Sequence, residues 1–94
     1  MDVVGREVLE DFKRRHPDVQ SQVDTWLLEA EEATWGTPHA VTRRFATASI
    51  LSENRGVFNL KGTSYRLLVR IAYRLGKVIV LKAGTHAEYD QWDL

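Results

Sequence analysis

The hydrophobic period changes once along this chain, and that change constrains the fold more than any other feature. Before Ser49 the large apolar residues recur at spacings of three and four; after it they alternate. Val8, Leu9 and Phe12 predict one face of a helix over Arg6–His16, which Pro17 must end. Val19, Val23, Trp26, Leu27 and Ala30 predict the buried stripe of a second helix, with Asp18 placed to cap it and Trp35-Gly36 to close it. Thr37-Pro38 pairs a capping hydroxyl with proline at the first helical position, so a short third helix should run to Phe45 or Ala46.

The second half reads as strands. Ser49–Leu51 and Val57–Lys61 are separated by the turn Ser52-Glu53-Asn54, and Gly62-Thr63 turns the chain into Ser64–Tyr73. In that last run Tyr65, Leu67, Val69, Ile71 and Tyr73 fall on one face, and Arg66, Leu68, Arg70 and Ala72 on the other. Val78–Ala83 is nearly continuous apolar sequence, the pattern of a central strand covered on both faces. Met1–Val4 adds an edge strand. A strand, then helices, then an antiparallel meander define an α+β fold with helices on one sheet face. All 94 residues form a single domain in this reading, with a radius of gyration of roughly 12 Å and room for an open cleft only.

Composition narrows the function. The chain has no cysteine, so disulfides, thiolate metal sites and a cysteine nucleophile are excluded together. No apolar run reaches the roughly 18–20 residues of a membrane span, and the start lacks the pattern of a signal peptide, so a cytoplasmic protein is expected. Formal net charge is zero, yet the charges are segregated. Residues 43–82 carry nine basic groups against the single acid Glu53, and both flanking segments are acidic. Such a block reads either as a polyanion-binding surface or as strand faces neutralised by the acidic helices.

The strand alternation gathers Arg55, Asn59, Lys61, Arg66 and Arg70 on the sheet face away from the helices, where guanidinium groups can hold a phosphodiester. Just past the last strand lies Gly84-Thr85-His86-Ala87-Glu88-Tyr89-Asp90. His86 is placed to reach the open face as a proton-transfer group, and Tyr89 to stack on a base. A structural histidine is the plain alternative. A third reading takes His86, Glu88 and Asp90 as ligands of a divalent ion, since alternate positions of an extended segment share one side. Trp92 fits either a core position or a stacking group.

Two segments carry a family resemblance. Asn54-Arg55-Gly56-Val57-Phe58-Asn59-Leu60-Lys61-Gly62 with Tyr65-Arg66-Leu67, and the ending Gly84 to Asp90, resemble the HigB family of type II toxin–antitoxin toxins. The Phe12…His16-Pro17 turn, Trp26 and the Trp35…Pro38 junction extend the likeness over nearly the whole chain. The resemblance implies a RelE-like fold and a ribonuclease that cuts messenger RNA on the ribosome without a metal or other cofactor, by attack of the RNA's own 2′-hydroxyl. It implies a helix-turn-helix antitoxin of the HigA type as partner. By position, Arg66 resembles the family's catalytic arginine, Lys61 and Arg55 its phosphate-contacting cations, His86 a catalytic basic residue and Tyr89 its aromatic partner. Arg66, His86, Lys61 and Tyr89 are therefore the expected catalytic residues, and Arg55, Asn59, Arg70 and Lys82 the expected RNA contacts. Asn59 stands where some relatives have lysine, and Asp2 where the family usually has a cation.

Overall fold

The computed structural model describes all 94 residues. β1 (Asp2–Val4) leads into α1 (Arg6–Arg15), a 3-10 turn (Pro17–Val19), α2 (Gln20–Glu32) and α3 (Pro38–Arg44). Four strands follow: β2 (Ser49–Ile50), β3 (Arg55–Leu60), β4 (Tyr65–Ala72) and β5 (Lys77–Thr85), with a second 3-10 turn (Tyr73–Leu75) before β5. α4 (His86–Tyr89) follows directly on β5. The strands form one sheet in the order β1-β5-β4-β3-β2. β2 to β5 are antiparallel neighbours, and β1 pairs parallel with β5, Val3 opposite Val78. The sheet is therefore mixed, with one parallel edge strand joined to the meander.

α1 starts at Gly5, whose φ of 88° lies in the left-handed region and whose Cα faces β5 so closely that a Cβ would meet the Val80 carbonyl at 2.7 Å. Glycine alone allows the helix to begin against the sheet there. α1 ends before Pro17, with Lys13, Arg14 and Arg15 in its last turn opposing the negative end of the helix dipole. α3 is capped as expected: Thr37 Oγ1 accepts from the Ala40 N–H at 3.2 Å, with Pro38 next.

The core lies between the helices and one sheet face. Phe12, Val23 and Trp26 from the helices meet Phe58, Leu67, Ile71 and Val78 from the strands, and no charged side chain is buried. Trp26 and Phe45 both contact Phe58 edge-on, at centroid distances of 5.4 and 5.1 Å. The radius of gyration is 12.2 Å.

Several expectations need correction. Asp18 does not cap α2: the helix begins through the 3-10 turn with no side-chain cap, and the Asp18 carboxylate is engaged elsewhere. Gly36 is not a left-handed stop; α2 has already ended at Glu32, where Ala33 turns to extended geometry. β5 is not symmetrically covered, because Val78 and Val80 are buried while Ile79 and Leu81 are half-buried and Lys82 is exposed. A register shift contributes: Leu68 pairs with Lys82 but Val69 with Val80, so Leu81 is an extra residue in β5.

Nor is the outer sheet face bare. Val57 and Leu68, directly paired there, are only 2% and 4% exposed although they lie outside the main core cluster. The last residues of the chain return across them. Trp92 meets β5 at Lys82, and the Leu94 carbonyl accepts from Arg55 on β3 at 2.9 Å.

Candidate nucleic-acid interface

Strand pairing brings most of the expected site residues together. Asn59 lies opposite Arg66, and Arg55 opposite Arg70, so all four project from the same sheet face. Arg66 also lies opposite Gly84, and Leu68 opposite Lys82, which places Lys82 on that face as well. Asn59 differs from its neighbours in use: its side-chain amide donates to the Thr47 carbonyl at 3.0 Å and ties β3 to the segment after α3.

Lys61 is not on this face. It lies beyond the end of β3, with φ 51° in the left-handed region, and its ammonium reaches Asp18 at 2.9 Å. Alternation stops where the strand stops, so period-two counting carried it one residue too far. Asp18 also accepts from the Tyr65 hydroxyl, and the Tyr65 ring packs against His16 and Phe12 from α1 and its C-cap. Donation from Lys61 and then Tyr65 holds the Asp18 carboxyl below its ordinary value.

Four of the nine cations of the basic block are paired, and Arg43 and Arg74, away from the site strands, are not. Arg44 pairs with Glu29, Lys61 with Asp18, Arg70 with Glu53 and Lys77 with Asp2. Arg55, Arg66 and Lys82 share the outer face and have no Asp or Glu carboxylate within 4.0 Å, though Arg55 donates to the main-chain oxygens of Ser52 and Leu94. Neutralisation by nearby carboxylates thus holds for part of the block and not for the rest. The acidic helices neutralise part of the block, and an uncompensated cationic patch remains on the sheet.

α4 supplies the aromatic half of the site. Its start is a capping box: Thr85 Oγ1 accepts from the Glu88 N–H, and the Glu88 carboxylate accepts from the Thr85 N–H at 2.9 Å. The backbone bond from Thr85 holds the Glu88 carboxyl below its ordinary value. The helix packs closely on the sheet because residue 84 is glycine. A Cβ there would stand 3.1 Å from Glu88 Oε1 and 3.2 Å from the Trp92 ring.

A spacing of three through α4 and the turn after it lines up His86, Tyr89 and Trp92, with successive centroids 6.4 and 5.6 Å apart, the first pair tilted and the second edge-on. The Arg66 guanidinium carbon lies 5.0 Å from the Tyr89 centroid, and the Lys82 ammonium 5.7 Å from that of Trp92. Rings and cations alternate along one strip of surface. Trp92 belongs to this strip, with Gly84 as the gap that admits it, and the sequence marked Trp92 only as one of two possibilities.

His86, Glu88 and Asp90 do not share one side of an extended segment, because the chain is helical from His86 to Tyr89. Glu88 is committed to the cap, and no group of three His, Asp or Glu side chains is placed to hold a metal ion. His86 Nε2 lies 3.6 Å from Asp90 Oδ2 one turn on, and its side chain is exposed.

A small α+β domain with this cationic and aromatic strip fits the RelE-like class of toxins. A profile of the HigB toxin family, the RelE-like toxic component of a toxin–antitoxin system, matches residues 19–92, and the chain belongs to that family. A comparison with curated proteins finds no match.

Proposed function

We propose that this toxin is an endoribonuclease that cuts messenger RNA held on the ribosome. The observation that carries the reading is the strip itself, in which Arg66 over Tyr89 and Lys82 over Trp92 alternate charge with ring faces. Single-stranded RNA has the same alternation of phosphate and base. Arg55 extends the patch across β3, and Asn59 and Arg70 flank it.

In this reading the RNA's 2′-hydroxyl oxygen attacks the adjacent phosphorus and loses its proton to a base. The bond to the 5′-oxygen breaks, and that oxygen takes a proton from an acid. The products are a 2′,3′-cyclic phosphate and a free 5′-hydroxyl, and no cofactor enters. Arg66 stabilises the charge that builds on the phosphate. His86, an exposed imidazole whose ring lies 6.4 Å from that of Tyr89, serves as a proton-transfer group, with Asp90 within reach of its ring. The Tyr89 ring lies under the Arg66 guanidinium and offers its edge to the substrate. Lys61 acts from the rim of the site, its charge shared with Asp18. The toxin acts in the cytoplasm, and an antitoxin of the helix-turn-helix HigA type neutralises it.

The test is to incubate purified toxin with messenger RNA alone and with programmed ribosomes, and to map the ends of the fragments. Cyclic or 3′-phosphate ends in the presence of ribosomes support the reading. Binding without scission would leave an RNA-binding module in its place.

A further inference from the structure

We propose that Asp18, which touches neither Arg66 nor His86, is a positioning residue for the cleavage site, acting through the β3–β4 turn. The role in cleavage rests on the reading above. Asp18 sits in the 3-10 turn between α1 and α2, in the helical layer. Its carboxylate accepts from Lys61 Nζ at 2.9 Å and from the Tyr65 hydroxyl at 2.8 and 3.0 Å. Lys61 and Tyr65 are the two feet of the turn, the residue after β3 and the first residue of β4. One carboxylate therefore clamps both ends of a four-residue turn from outside the sheet.

The carbonyls inside that turn aim the site. Thr63 accepts from Arg66 Nη1 at 2.6 Å, and Ser64 accepts from the His86 backbone N–H at 3.0 Å. The first bond holds the guanidinium over Tyr89; the second fixes the first residue of α4 against β4. Arg66 and His86 thus take their positions from one turn. The turn is otherwise weakly held, since its four residues are all exposed and Lys61 and Gly62 both have positive φ. Its only internal backbone bond runs from the Ser64 N–H to the Lys61 carbonyl at 3.2 Å. An isolated surface ion pair does little. A carboxylate bound to both ends of a loop restricts the whole loop, and the Tyr65 ring, packed on His16 and Phe12, keeps the clamp on the helical layer.

The experiment measures amide hydrogen exchange and single-turnover cleavage in Asp18→Ala and Asp18→Asn, the second keeping the side chain's volume. The expected result is faster exchange at Ser64 and His86 with Val69 and Ile71 unchanged, and a cleavage rate about 10- to 100-fold lower at near-constant KM. In a Lys61→Met/Tyr65→Phe background, Asp18→Ala should add nothing further. Unchanged exchange at Ser64 and His86 overturns the proposal. So does faster cleavage, which would mean that Asp18 withholds Lys61 from RNA. If wild-type toxin cuts no RNA, the role in cleavage falls with the functional reading, and the exchange data alone decide whether Asp18 holds the turn.

Discussion

Arg66 lies over the ring of Tyr89, its guanidinium carbon 5.0 Å from the ring centroid, while its Nη1 donates to the Thr63 carbonyl at 2.6 Å. The side chain is thus held at two points and retains further donors for a ligand. No carboxylate competes for it within 4.0 Å, so the charge is available to a phosphate.

Replacing Arg66 by alanine should lower the cleavage rate about 10²- to 10³-fold, the loss typical of a preorganised charge donor. The half-exposed site predicts a stability change of about 1 kcal/mol or less. Arg66→Lys should recover only part of the rate, because an ammonium lacks the planar fork. Tyr89→Phe should keep the ring contact and lose less than Tyr89→Ala. Toxicity in cells, cleavage in vitro and melting temperature together check this. Full activity in Arg66→Ala would remove the arginine from the mechanism.

His86→Ala should lower cleavage by about 10²- to 10⁴-fold, the range for a positioned proton-transfer group. Because His86 and Arg66 would serve one transition state, the double variant should lose less than the product of the single losses. Multiplicative losses in a single-turnover assay would show that the two residues act separately.

Salt should separate the free cations from the paired ones. Lys82→Ala removes a cation with no carboxylate partner and should lower the salt slope of RNA binding by about 0.7. Lys77→Ala, whose ammonium is held by Asp2 at the far edge of the sheet, should leave the slope unchanged. Binding isotherms of a short oligoribonucleotide at several salt concentrations check both, and equal slopes in all three proteins would contradict the patch.

Acid should loosen the site end before neutral pH has any effect. The Asp18 carboxyl is held below its ordinary value of 3.8 by Lys61 and then Tyr65, and Glu88 below 4.5 by the Thr85 backbone. A depressed carboxyl stabilises the fold above its unfolded value and loses that contribution as pH falls through the folded one. Melting temperature should therefore be flat with respect to these two groups above about pH 5 and fall below it. Asp18→Asn and Glu88→Gln should each flatten the acid limb. An acid limb unchanged in both variants would assign it to other carboxylates.

Gly84→Val should displace α4 without unfolding the core. Even a Cβ at this position would crowd Glu88 and Trp92, and the branched side chain adds to that. The expected result is weaker RNA cleavage with the buried Trp26 and Trp35 environments preserved, read by near-ultraviolet circular dichroism. Wild-type cleavage in this variant would show that the close packing of α4 is dispensable.

Periodicity determined the layers. Val23, Trp26 and Ala30 on α2, and Leu67, Val69 and Ile71 on β4, are all buried at the spacings from which they were read, because burial follows the repeat of the local backbone. The shared face of Arg55, Arg66 and Arg70 was legible for the same reason, and the ending from Gly84 to Asp90 pointed to His86 and Tyr89. What alternation could not supply was the point at which each regular element stops. Lys61 leaves the face because β3 ends at Leu60, and the metal reading of His86, Glu88 and Asp90 fails because the chain coils at His86. Partners distant in sequence were hidden too. Asp18 meets Lys61 and Tyr65 across 43 and 47 residues, and Trp92 finds its place through the missing Cβ of Gly84. A local repeat reports which way a side chain points within its element. What it meets there depends on how separate elements are brought together, and only the tertiary structure decides that.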